Sequence, residues 1–239
     1  MKHRLTWRRA VCMLLCGVML AGSMTGCEKK EASLSEEKII NYEMPANGDK
    51  VVVMTIKDYG DVKIRLFADE CPKAVENFLG LVEKHYYDEL IFHRVVKNFV
   101  IQGGDPKGNG TGGESLWGQG FEQEISPKLC HFNGALAYAV ASDKLNNSQF
   151  YIVTGDKVTE QTFEQLSTYY GKTYSDQVKQ MYYEHGGQPF LDGDYTVFGQ
   201  LIDGLDICMK INEVAVDSNS KPKEQVTIES MKVLEYYTE

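Results

Sequence analysis

The sequence has little proline (6 of 239 residues), two tryptophans and no uninterrupted apolar run of 18 residues. Scarce proline, with 22 glycines in no Gly-X-Y period, excludes collagen-like and proline-rich repeat chains. Without a long apolar run there is no ordinary membrane-spanning helix. Basic residues are in deficit. The 25 Lys and Arg against 34 Asp and Glu give a net charge of −9, which excludes nucleic-acid binding driven by phosphate neutralisation. The six cysteines form no CxxC pair and the five histidines no HExxH, so no metal site is expected. No solenoid-type repeat is present.

What is present begins with an address. Residues 1–9 carry Lys2, Arg4, Arg8 and Arg9 without an acid, residues 10–21 are small or apolar, and Ser23-Met24-Thr25-Gly26-Cys27 follows. A basic start, a short apolar core and small residues before a cleavage point read as a secretory signal over 1–26. The Gly-Cys ending is similar to a bacterial lipobox, with Met24 where Leu is usual, and makes Cys27 the lipidation site. The expected location is extracytoplasmic, on a bacterial cell membrane through a lipid anchor. Cleavage removes four positive charges and no negative one, taking the net charge from −9 to −13. Membrane contact is then expected from lipid, not from a basic patch. Residues 28–49 hold nine charges in 22 positions and end in Pro, Asn and Gly. With Cys27 they are expected to form a flexible tether, 27–49, ahead of a domain over 50–239. Cys12 and Cys16 leave with the signal. Cys71, Cys130 and Cys208 remain as semi-buried thiols, of which one pair could form a disulfide.

From residue 51 the pattern turns to short strands. The run 51–56 is β-branched and apolar, a turn follows at 58–61, and Val62, Ile64 and Leu66 alternate with Lys63 and Arg65. Further strands are expected at 90–95, 99–102, 134–141, 149–153, 196–201 and 226–236. In the last, Val226 and Ile228 shift phase to Met231 and Val233, which predicts a bulge. A helix begins near Pro72 with Val75, Phe78, Leu79 and Val82 on one stripe. Another is expected near 205–211. Eight short antiparallel strands and two helices predict a mainly β fold: a closed eight-stranded barrel capped by two helices.

Residues 156–189 read as a helical insertion. Phe163, Leu166 and Tyr170 space as one helix, and Ser175 caps a second with Val178, Met181 and Tyr182 on one face, ended by Gly186-Gly187. Tyrosines 169, 170, 174, 182 and 183 lie here. They either pack a helical hairpin onto the barrel or form a lip for a partner or substrate. The stretch Gly108-Asn109-Gly110-Thr111-Gly112-Gly113 fits GxGxxG but opens no helix and has no Walker lysine, so a surface loop and no nucleotide are expected. Ser148 has no nucleophile-elbow glycines.

One segment remains: Phe92-His93-Arg94-Val95-Val96-Lys97-Asn98-Phe99-Val100-Ile101-Gln102-Gly103-Gly104-Asp105. It sets an arginine in an apolar strand, either paired with a carboxylate at the barrel edge or free to serve a site. The segment resembles the cyclophilin motif F-H-R-[VI]-[VI]-x-x-F-x-[IV]-Q-G-G-D. Asn77-Phe78, Ala139-Val140-Ala141 with Ser148-Gln149-Phe150-Tyr151-Ile152, and Leu191-Asp192-Gly193-Asp194-Tyr195-Thr196-Val197-Phe198-Gly199 match further family motifs in order, covering about 50–236.

The resemblance implies a peptidyl-prolyl cis-trans isomerase acting on proline-containing polypeptides, with no cofactor and as a monomer. It implies Arg94 as the donor to the twisting prolyl amide, Gln102 orienting it and Gln149 on the substrate backbone. Phe99, Val100, Tyr151 and Leu191 would form the apolar proline pocket, Ala139, Val140 and Ala141 the neighbouring groove, and Phe190 and Tyr195 the rim. His93 joins them as a support residue beside the substrate. This chain departs from the family pattern at Val100 (commonly Met), Tyr151 (Phe), Phe190 (Trp in eukaryotic members) and Tyr195 (His). The Tyr151 hydroxyl then needs a partner, and weak cyclosporin binding is expected. The expected role is helping exported proteins fold; the alternative is a proline-peptide binding or holdase module with negligible turnover.

Overall fold

A computed structural model describes residues 37–140 and 142–238. The signal, Cys27 and the first part of the expected tether, to residue 36, lie outside the described residues, as does Ala141.

The eight strands are β1 (Lys50–Ile56), β2 (Gly60–Leu66), β3 (Arg94–Val96), β4 (Val100–Gly103), β5 (Ala135–Tyr138), β6 (Phe150–Val153), β7 (Val197–Asp203) and β8 (Ile228–Glu235). They form one antiparallel sheet in the order β3-β4-β6-β5-β7-β2-β1-β8. The first hairpin follows from its pattern. Val52, Met54 and Ile56 face Val62 and Ile64 in the core, while Lys63 points outward. Asp58 takes a left-handed φ of 66° at the turn. The phase slip in the last strand is a bulge: Thr55 pairs with Ser230 but Ile56 with Ile228.

The expected closed barrel is corrected to a curled sheet. β3 and β8 are its end strands, with no ladder between them among the described residues. The expected strand 90–95 is reduced to Arg94–Val96, with Ile91 making only an isolated bridge to Thr227. Isolated bonds still span the seam: Glu89 N–H to Ile228 O, Ile228 N–H to Leu90 O and Phe92 N–H to Val226 O, at 2.8–2.9 Å.

Helix α1 (Pro72–Glu83) covers one end of the curl. Proline begins it, where a missing N–H costs nothing. Cys71 provides no cap, so the Glu124 carboxylate does, accepting the Ala74 N–H at 2.8 Å. Phe78 is fully buried against Tyr87, Phe150 and Phe198, and burial of such a ring contributes roughly 1.5–3 kcal/mol.

The insertion forms α2 (Glu160–Tyr170) and α3 (Asp176–His185), and α4 (Leu205–Ile211) precedes β8. Gly171, at φ 66°, ends α2, and the following Lys172 N–H closes onto Leu166 O. Ser175 caps α3 through the Val178 N–H, as the pattern requires. The insertion has its own small core of Phe163, Leu166, Tyr174, Val178 and Tyr182 against Phe132 and Ile39. The packing reading holds for Tyr174 and Tyr182, which are buried; Tyr169 and Tyr170 are exposed.

The expected tether does not run free to residue 49. Ile39 is in the insertion core and Asn41 is fully buried. The Asn41 amide donates to Cys130 O and Gln200 Oε1 and accepts from Cys130 N, at 2.9–3.0 Å. Arg65 donates to the carbonyls of Ile40 and Glu43. Cys71, Cys130 and Cys208 are buried free thiols.

Candidate functional site

The tight β3–β4 turn places Arg94 directly opposite Gln102, and the next pairing places Gln102 opposite Tyr151. Directly opposed residues share a sheet face, so the three form one row across three strands. Arg94 Nη1 donates to Gln102 Oε1 at 3.3 Å, and Gln102 Nε2 donates to Gln149 Oε1 at 3.0 Å. The Gln149 amide in turn donates to the carbonyls of Gly110 and Gly112, at 3.2 and 2.7 Å.

The glycine-rich loop thus supports the site, a role its sequence does not announce. Its amides are already committed. The buried Asp105 carboxylate accepts the N–H groups of Lys107, Asn109 and Gly110 at 2.6–3.0 Å. Burial pushes the Asp105 carboxyl upward, but backbone donors from Lys107, Asn109, Gly110 and Gly112 outweigh it and hold it below its ordinary range. A Cβ at Gly112 would collide with Asp105 Oδ1, so glycine is required there. An internal anion occupies the place that a phosphate takes in nucleotide loops.

Apolar groups gather beside the arginine. Its Cζ lies 5.8 Å from the Phe99 ring centroid, and Phe190 stacks on Phe99 with centroids 5.6 Å apart. Val100, Tyr151 and Leu191 are buried, and the Tyr195 ring meets Tyr151 edge-on at 6.2 Å. Ala139 and Val140 are half-buried beyond β5, and the Ala139 N–H bonds to Gln149 O. Ala141, the third groove residue, lies outside the described residues. His93 departs from its expected place beside the substrate. It is only 5 % exposed, and neither ring nitrogen has a partner among the described residues. A Cβ added at Gly110 would lie 3.8 Å from its Nε2, so the imidazole packs under the glycine-rich loop.

Sequence reading missed a buried polar network. The Tyr151 hydroxyl lies 3.0 Å from His131 Nε2, and His131 Nδ1 lies 2.8 Å from Asp192 Oδ1. The other Asp192 oxygen accepts the Tyr182 hydroxyl of α3 at 2.6 Å. With Nδ1 donating to the carboxylate, Nε2 accepts from the Tyr151 hydroxyl. Burial pushes the Tyr151 phenol well above its ordinary value, with Tyr195 and Asp192 adding to it, so the hydroxyl stays a donor. The only sequence signal was the unmet need of the Tyr151 hydroxyl.

Residues 51–233 match the family described as cyclophilin type peptidyl-prolyl cis-trans isomerase/CLD. The chain belongs to that family, whose activity is the cis-trans isomerisation of peptidyl-prolyl bonds. It is 39 % identical over 196 residues to a Staphylococcus saprophyticus protein named, by inference, a peptidyl-prolyl cis-trans isomerase; the match covers 82 % of this chain and 97 % of that one. It is 38 % identical over 223 residues to a Streptococcus pyogenes protein named, also by inference, a bifunctional phosphatase/peptidyl-prolyl cis-trans isomerase. That match spans 92 % of this chain but only 45 % of the longer relative. A Cryptosporidium parvum cyclophilin type isomerase, solved in the presence of the dipeptide Ala-Pro, is 34 % identical with a TM-score of 0.60. The likeness covers 79 % of this chain and 99 % of that one.

Proposed function

We propose that this chain isomerises Xaa-Pro bonds in exported polypeptides outside the cytoplasm, tethered to a bacterial membrane through lipidated Cys27. Rotation about the prolyl amide breaks no covalent bond. Its barrier of ~18–20 kcal/mol reflects lost C–N double-bond character. As the bond twists, the prolyl nitrogen regains its lone pair. A fixed N–H donor beside it stabilises the twisted state more than either planar one, which is what lowers the barrier.

The observation that carries this reading is Arg94, held by Gln102 and set over the Phe99 ring. The charge supplies the donor, and Phe99, Val100, Tyr151 and Leu191 offer an apolar seat for a pyrrolidine ring. Gln149 and the edge at Ala139 and Val140 receive the peptide backbone. In this reading Phe190 and Tyr195 form the rim. The site needs no metal, cofactor or nucleotide.

The test is Xaa-Pro isomerisation by the full-length protein, with Arg94→Ala alongside. Turnover that depends on Arg94 supports the isomerase. Binding of a proline peptide without turnover would make the chain a holdase instead. Mass spectrometry of the membrane-extracted protein tests the anchor: an unmodified Cys27 would end that part.

A further inference from the structure

The turn 189–194 brings Phe190 and Leu191 to the site, and most of the polar groups that fix it come from the insertion, the backbone N–H and imidazole of His131 on Asp192 Oδ1 being the others. Pro189–Leu191 is a single 3₁₀ turn, too short to hold itself. Lys172 sits just beyond the end of α2, its position fixed by left-handed Gly171 and by its own N–H to Leu166 O. Its ammonium has three N–H donors, and each has an acceptor in that turn. These are Phe190 O at 2.6 Å, Asp192 O at 2.7 Å and Asp194 Oδ2 at 2.6 Å. The lysine side chain is 19 % exposed, so little water competes for those donors. Tyr174 adds a bond to Pro189 O at 2.5 Å, and Tyr182 adds the bond to Asp192 Oδ2. The turn therefore hangs from three insertion side chains and, at Asp192, from His131. On its other side Phe190 stacks on Phe99, the ring that lies under Arg94.

We propose that Lys172 is a positioning residue for this isomerase, and that the α2–α3 insertion exists to clamp the 189–194 turn as one wall of the prolyl seat. The inference rests on the proposed prolyl site. Lys172 touches no substrate. It fixes where Phe190 and Leu191 stand, and those residues meet the prolyl ring alike in planar and twisted peptides. Loss of the clamp therefore weakens ground-state and transition-state binding together. That raises KM and leaves kcat, which depends on Arg94, nearly unchanged.

The test compares full-length wild type, Lys172→Met, Lys172→Arg and Lys179→Met. The probe is an Ala-Ala-Pro-Phe tetrapeptide, followed by isomerisation kinetics and by calorimetric affinity. Lys172→Met keeps the stem and removes the donors; KM and Kd are expected to rise roughly fivefold with kcat within about twofold. Lys172→Arg restores charge and donors and should recover much of the affinity. Lys179 bonds to Glu160 inside the insertion, so Lys179→Met should match wild type. A Lys172→Met protein with wild-type Kd overturns the clamp, and so does an equal loss in Lys179→Met. If Lys172→Met does not fold, Tyr174→Phe removes the neighbouring bond to Pro189 O and must raise Kd in its place; an unchanged Kd there overturns the clamp as well. Calorimetry separates the two ideas. Wild type that binds the tetrapeptide without turning it over sinks the isomerase reading, while the Kd comparison still decides the clamp.

Discussion

The Tyr151 hydroxyl and His131 Nε2 stand 3.0 Å apart, joining the apolar floor beside Arg94 to a wholly buried polar chain. Where a phenylalanine would end in hydrocarbon, this chain carries a hydroxyl, and the interior supplies its partner. The His131 side chain is 1 % exposed and that of Asp192 fully buried, so neither can turn to water if the tyrosine is lost.

Tyr151→Phe keeps the ring and deletes only that bond. His131 Nε2 is left without its donor, and the cost is about 1–3 kcal/mol of stability. The hydroxyl is spent on His131, so kcat/KM should change by no more than about threefold, under 1 kcal/mol at ~1.4 kcal/mol per decade. Urea unfolding and the tetrapeptide assay measure the two effects. An unchanged midpoint would mean that His131 and Tyr151 are not bonded in solution.

Arg94→Ala should have the opposite profile. The side chain is half-buried and, among the described residues, its one hydrogen bond is to Gln102, so folding should be nearly unaffected. The developing lone pair loses its donor. The expected fall in kcat/KM is about a hundredfold, equivalent to ~2.7 kcal/mol. Loss confined to KM would contradict a donor that acts in the twisted state.

Local pattern carried the fold a long way. The strand alternation of Val62, Ile64 and Leu66, the Ser175 cap and the Met231 phase shift each follow from contacts a few residues apart, and each has its counterpart in the structure. What escaped depends on distant partners. Asn41 sits in a charged stretch that reads as solvated, yet it is buried by groups 89 and 159 positions away. His131 and Asp192 are 61 positions apart and had no local signature as a pair. The glycine-rich loop misled in kind: its amides do bind an anion, but the anion is Asp105 of the same chain.

Asn41→Ala tests how firmly residues 39–43 belong to the folded unit. It strands the amide and carbonyl of Cys130 and Oε1 of Gln200 in a dry site. Each orphaned group costs about 1–3 kcal/mol, so a loss of ~3 kcal/mol or more is expected. Thermal unfolding of the full-length protein measures it. A loss below ~0.5 kcal/mol, the level of an ordinary surface substitution, would show that the segment is loosely held.

His93 sets a pH dependence of stability. Burial disfavours its charged form, Arg94 and Lys221 push the same way, and Asp105 opposes them; the net effect lowers its pKa below the ordinary histidine value. The unfolded ring titrates near ~6.5, so below that pH the unfolded state binds the extra proton and the folded state resists it. The contribution is therefore complete above about pH 6.5 and is lost as pH falls through the lower folded value. The local slope is at most ~1.4 kcal/mol per pH unit. His93→Leu removes both unpartnered nitrogens and the titration with them. Its unfolding free energy should fall less than that of wild type between pH 7.5 and pH 5, with urea unfolding at several pH values as the measurement. Every other group is common to both proteins, so only the difference between the two curves belongs to His93. Parallel curves would show that the buried imidazole takes up its proton as readily folded as unfolded.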